Sequence, residues 1–268
     1  MNQNLKSFLL LALLPFSTAG AQHISRDSVA AAFLRAGLER CEAHALLQEL
    51  TSKAAKRLSG SPGAADAVAL TRTMMAERGF DNVHLEEVMV PHWVRGDMER
   101  ASVMNGPEHI PLTICALGGS IGTPKGGVTA EVIEVRTFQE LRALHEKAKG
   151  KIVFFNRGLD PGLLNTFDAY SGAVDQRGSG AVEAAQVGGV AALVRSMTLA
   201  MDNVPHTGAM HYNDTVPKIP AAAISTRDAN MLSSLLKQRG SAMVNVELSC
   251  ETLPDVPSAN VVGELTGS

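Results

Sequence analysis

Three times along this chain a helical pattern runs straight into a short apolar strand, and that alternation limits the fold more than any other feature. In the first instance Thr137 and Glu140 form a capping box. Phe138, Leu141, Leu144 and Ala148 then follow at helical spacing, Gly150 closes the helix, and the strand Ile152–Phe155 comes directly after. A helix over about 178–187 likewise feeds a strand at 190–194, and a helix over about 227–238 feeds a strand at 242–248. In the last of these Ala242, Val244, Val246 and Leu248 alternate with polar or exposure-tolerant residues, the period of a half-buried strand. Strands separated by helices, each able to cover a sheet face, predict an α/β fold rather than a bundle or an all-β sandwich.

Upstream the pattern differs. Ala43, Leu46, Leu47, Leu50, Ala54 and Leu58 recur at three- and four-residue steps and predict a helix ended by the segment 59–63, Ser-Gly-Ser-Pro-Gly. A second helix carries Val68, Met74 and Met75 and stops at Gly79, after which Val83, Leu85, Val88 and Val90 read as extended chain. From about Ala101 several short strands are expected, Val128–Val135 among them, behind a glycine-rich loop at 118–127. The final strand is expected at 260–265, beyond a linker marked by Pro254 and Pro257.

At 268 residues the chain has length for one large domain or two modest ones. A net charge of -3 with both signs scattered gives no basic patch for nucleic acid and no acidic arm, so small molecules or peptides are the expected partners. Residues 1–21 have a signal-peptide layout: Lys6, an apolar run from Phe8 to Leu14, then Ala19-Gly20-Ala21. That run is too short for a membrane span and Pro15 interrupts it. The expectation is an exported protein, secreted or periplasmic, free of the membrane once the signal is removed. Cys41, Cys115 and Cys250 allow one disulfide with one thiol over, and their wide spacing suits neither a catalytic nucleophile nor a zinc knuckle.

Few residues are arranged for chemistry. The nearest approach to a His-Glu-x-x-His zinc helix is His145-Glu146-Lys147-Ala148-Lys149, with lysine where the second ligand belongs, so it reads as a solvated helix end. His84 and Glu86 share a strand face without a third ligand nearby. Gly178-Ser179-Gly180 precedes a helix, but Glu183 occupies the third-glycine position of a dinucleotide fingerprint and would repel phosphate. Ser171 and Ser179 lack the flanks of a nucleophile elbow. The loop PHTGAMHY holds His206, Thr207 and Tyr212, candidates for the wall of a substrate cleft, with surface turn chemistry as the alternative.

The segments RLSGSPG, DNVHLEEVMVPHWVRGD, GKIVFFNR, GGVAALVRS, PHTGAMHY and IPAAAIS, in this order, resemble the carboxypeptidase Q group of secreted zinc exopeptidases. The resemblance runs from about Ala43 to Leu265. It implies the start of a zinc-exopeptidase α/β domain interrupted by an inserted protease-associated domain of mixed strands and helices. On that basis residues 1–21 are the signal peptide and 22–104 the first part of the peptidase domain. Residues 105–250 are the insertion, and 251–268 a return linker and strand.

The family places its His-x-Asp and its other zinc ligands after such a strand, with a glutamate as general base. The complete relative is expected to hold two zinc ions, whereas this chain is expected to supply no catalytic or metal residue and to hold no zinc alone. Small peptides are the implied substrates, with no nucleic-acid partner and a homodimer left open. A non-catalytic exported peptide- or protein-binding module is the alternative.

Overall fold

The structure, a computed structural model, describes residues 26–267. The chain divides into two compact units at Glu49 and Leu50. In the first, the helix α1 (Arg26–Glu39) carries Phe33, Leu34 and Leu38 exposed, and α2 (Ala43–Lys53) begins. All the strands belong to the second unit.

That unit opens with α3 (Pro62–Glu77). Ser61 caps it by accepting from the Ala64 amide at 3.2 Å, and Pro62 stands in the first turn, where a missing N–H is no loss. Gly79, at φ +74°, turns the chain out of the helix into β1 (Asp81–Val94). β1 pairs antiparallel with β10 (Glu251–Glu264), and α3 packs on this two-stranded sheet, with Met75 and Phe80 so close to Gly263 that a Cβ there would lie 2.8 Å from Met75 Cε.

β10 is longer than its pattern suggested. Pro254 and Pro257, expected to mark a linker, both lie inside the strand. Proline is excluded from central strands because it has no N–H to give. In a two-stranded sheet each strand keeps one edge without a partner, where that loss costs nothing.

Between β1 and β10 the chain builds an eight-stranded mixed sheet. Its further strands are β2 (Glu99–Asn105), β3 (Glu108–Leu112), β4 (Ile114–Ala116), β5 (Val128–Val135), β6 (Ile152–Phe155), β7 (Ala191–Arg195), β8 (Ala221–Ile224) and β9 (Met243–Leu248), in the order β3-β2-β9-β5-β6-β7-β8-β4. β5, β6, β7 and β8 run parallel; β9, β2, β3 and β4 join antiparallel.

Successive side chains leave a strand on opposite faces, and here they sort into two cores. Ile152, Phe154, Leu193, Ala222 and Ile224 join one cluster, which α8 (Thr226–Arg239) covers with Ala229 and Leu232. Val153, Phe155, Val194, Ala221 and Ala223 join the other, under Leu141 of α4 (Phe138–Leu144) and Ala181 and Ala184 of α7 (Gly180–Gln186). With both faces covered, β6, β7 and β8 are buried at nearly every position, as parallel strands between helix layers must be. The expected α/β fold is therefore what the chain adopts. The helix expected over 178–187 is two short pieces, α6 (Asp175–Gly178) and α7, after a further short helix α5 (Thr166–Ser171).

Candidate functional site

The two sheets are joined by two adjacent chain crossings, residues 95–98 from β1 to β2 and Ser249–Cys250 from β9 to β10. The crossings bond to each other: the Ser249 amide donates to the Met98 carbonyl at 3.0 Å, and the Met98 amide donates to Ser249 Oγ at 2.9 Å. Gly96 makes this approach possible. Its φ is +73°, and a Cβ there would lie 2.2 Å from Ser249 Oγ.

At the crossing Trp93, near the end of β1, and Arg95, just past it, come together, the guanidinium 5.0 Å from the indole centroid. Trp93 Nε1 donates to the Ser120 carbonyl at 2.8 Å. Arg95 donates to Glu99 Oε1 at 3.0 Å, to the Ala116 carbonyl at 2.6 Å and to Cys115 Sγ at 3.0 Å, while the same Glu99 oxygen accepts the Ala116 amide at 2.7 Å. Lys56, Arg57, Leu58, Arg95 and Gly96 line a cleft of about 600 Å³ beside this cluster. Trp93, Arg95 and Gly96 stand within the segment PHWVRG, and the sequence carries no sign of their role beyond the two-residue spacing of Trp93 and Arg95.

The loop with the three predicted cleft residues packs on the same strand end. Gly118 and Ala209 form a parallel bridge, with Gly118 N donating to the Gly208 carbonyl at 2.8 Å and Met210 N to the Gly118 carbonyl at 2.9 Å. Thr207 Oγ1 donates to the Ala116 carbonyl at 2.7 Å, which places Thr207 next to Arg95. Tyr212 lies further along. Its hydroxyl donates to the Ile219 carbonyl at 2.5 Å and accepts the Ile121 amide at 3.1 Å, and burial pushes the phenol above its usual range. The amide of His206 donates to Ser196 Oγ at 2.8 Å, and its half-exposed side chain lies beside the two hydroxyl residues in sequence. Thr207 and Tyr212 thus spend their hydroxyls on the backbone, which leaves the imidazole of His206 as the group of the three best able to meet a ligand.

Among the described residues no group of three or more His, Cys, Asp or Glu side chains is placed to hold a metal ion. His84 Nε2 and Glu86 Oε1 stand 4.0 Å apart and exposed, and His145 and Glu146 are exposed on a short 3₁₀ turn. Glu183 is engaged by Arg142 through two bonds at 3.0 and 2.6 Å. The three thiols are unpaired, and burial raises both Cys115 and Cys250 above the ordinary thiol range, the wrong direction for a nucleophile.

No protein-family model matches the chain. Over 212 residues, 79% of its length, it is 42% identical to carboxypeptidase Q of Mus musculus. The chain is a homologue of carboxypeptidase Q. It spans 43% of that relative's length, less than half.

A solved structure described as a peptidase M28 precursor, from Shewanella amazonensis, superposes with a TM-score of 0.82 at 33% identity, covering 90% of this chain and 54% of that one. A zinc aminopeptidase of Bacillus subtilis, at 17% identity and a TM-score of 0.54 over 82% of this chain and 45% of its own, shares the fold. The carboxypeptidase Q homologue thus has peptidases as its relatives in both sequence and structure.

Proposed function

We propose that this chain is the leading part of an exported zinc exopeptidase that releases terminal residues from small peptides, and that by itself it neither holds zinc nor cleaves peptides. The observation that carries the reading is the 42% identity to carboxypeptidase Q over 212 residues, set against the 43% of that protein's length which the chain spans. Two zinc ions are assigned to the complete enzyme and none to these residues, so no catalytic step is assigned to any residue here.

In this reading residues 1–21, outside the described residues, are a signal for export to a secreted or periplasmic location. No helix among the described residues is long and apolar enough to cross a membrane. Residues 22–104 and 251–268 belong to the peptidase domain and 105–250 to a protease-associated insertion. The enclosure of one eight-stranded sheet between the paired β1 and β10 supports an insertion, although β2 begins at Glu99 and so carries the sheet back across the proposed boundary at 104. His206, Thr207 and Tyr212 are the proposed cleft wall, supported by the place of Thr207 beside Arg95 at the crossing between the sheets. Small peptides are the proposed partners; a homodimer is compatible with the reading, and nucleic acid is not.

A second reading, an exported binding module without chemistry, is favoured by one observation: the eight-stranded sheet carries a concave, cation-lined surface of its own. Reading the coding DNA past Ser268 separates the two. A continuing frame, directly or after a frameshift, that encodes His-x-Asp is the expected result. Its absence over the next few hundred bases would overturn the exopeptidase reading in favour of the binding module.

A further inference from the structure

The carboxyl ends of parallel strands are where open α/β sheets gather ligands, because the chain leaves each strand there into a loop or helix and a crevice remains between. In this sheet that edge is cationic. Arg136 follows β5, Asn156 and Arg157 follow β6, and Arg195 ends β7. α8 adds Asn230, Ser233, Ser234 and Lys237, which fall on one helix face at steps of three, one and three residues. Together they line a cavity of about 570 Å³.

The charges in this cavity are only partly balanced by the protein. Arg157 is paired with Asp175. Among the described residues no carboxylate lies within ion-pair distance of Arg136, Arg195 or Lys237. The nearest acid below the cavity, Glu134, has its Oε1 occupied by Asn156 Nδ2 at 2.6 Å and Ser233 Oγ at 3.0 Å.

Arg195 is the telling group. Its guanidinium is half-buried, and the partners of its Nη1 are two neutral amide oxygens, Asn156 Oδ1 at 3.0 Å and Asn230 Oδ1 at 2.7 Å. Burial first, and then the neighbouring Arg136, weaken its hold on its proton, and the nearby Glu134 offsets them only in part. Nε of Arg157 is buried without a hydrogen-bond partner. All this stands in a chain whose net charge is -3, so the positive field is local to the cavity.

We propose that this cavity is a binding site for a small dianionic oxyanion, of the phosphate or dicarboxylate class, held by Arg195, Arg136 and Lys237. Guanidinium groups meet such oxyanions through paired N–H bonds, and the fixed amides on Arg195 orient one edge of its plane in advance. The site goes beyond the peptidase reading and does not depend on it.

The test is calorimetric titration of the full chain in chloride buffer at fixed ionic strength, with inorganic phosphate in one arm, succinate in a second and acetate in a third. Saturable binding of one phosphate or one succinate per chain, absent with acetate, is expected, and the tighter of the two identifies the class. Arg195→Gln should weaken that binding about tenfold or more. Arg136→Gln and Lys237→Gln, whose exposed side chains make no hydrogen bond or ion pair among the described residues, should each weaken it severalfold without altering the melting temperature. Lys125→Gln, before the amino end of β5, should leave it unchanged. No saturable binding of either dianion, acetate binding as well as they do, or Lys125→Gln weakening it as much as Arg136→Gln would overturn the proposal.

Discussion

Thr207 and Arg95 donate to one acceptor, the Ala116 carbonyl oxygen, at 2.7 and 2.6 Å. The first comes from the loop between β7 and β8 and the second from the crossing just past β1, so one peptide group ties that loop to the junction of the two sheets. Thr207→Val, which keeps shape and loses the donor, should cost about 1 kcal/mol in urea unfolding. Arg95→Met should cost about 1–3 kcal/mol, because Glu99 is left without its cation. The double variant should fall short of the sum of the two, since residues sharing a partner couple. Strict additivity would show that the shared acceptor is not a link.

Gly96 and Gly126 both have left-handed backbones, at φ +73° and +88°, but only Gly96 is crowded. Gly96→Ala combines backbone strain with a clash against Ser249 and should destabilise by about 2 kcal/mol or more. Gly126→Ala meets nothing within 4 Å and should cost only about 1 kcal/mol. Thermal melts of the two variants check the order, and equal costs would count against a tight crossing.

The thiols should divide in their reactivity. Cys41 is exposed and should react fast with a colorimetric disulfide reagent, whereas Cys115 and Cys250 should react slowly in the folded chain and quickly in denaturant. Their acidities add a pH dependence. Both are raised in the folded state, mainly by burial, so the folded chain holds these protons more tightly than the unfolded one. The stability linked to them is therefore full below the unfolded thiol value of about 8.5 and is lost as pH rises past it towards the folded values. Urea midpoints that fall above that pH in the native chain, and fall less in Cys250→Ala, are the expected result.

What the sequence revealed depended on how local the signal was. Val128–Val135 and Ile152–Phe155 coincide with β5 and β6, because their apolar runs are bounded by glycine turns and a capped helix. β4 and β8, of three and four residues, carry too short a period to register, although IPAAAIS was visible as a motif. β10 was hidden by its prolines, whose meaning changes once the strand has a free edge. The loop at 205–212 could be read from its glycine and proline, yet the partners of Thr207 and Tyr212 lie 91 residues away in sequence, at Ala116 and Ile121. The cationic cavity was harder still to foresee: Arg136, Arg157, Arg195 and Lys237 each look like an ordinary strand or helix end until the parallel sheet aligns them.

The claim that these residues alone neither hold zinc nor cleave peptides is tested most directly by elemental analysis of the purified chain for zinc, coupled to a dipeptide hydrolysis assay with and without chelator. Far less than one zinc per chain and no hydrolysis above the buffer rate are expected. Stoichiometric zinc with chelator-sensitive cleavage would contradict it.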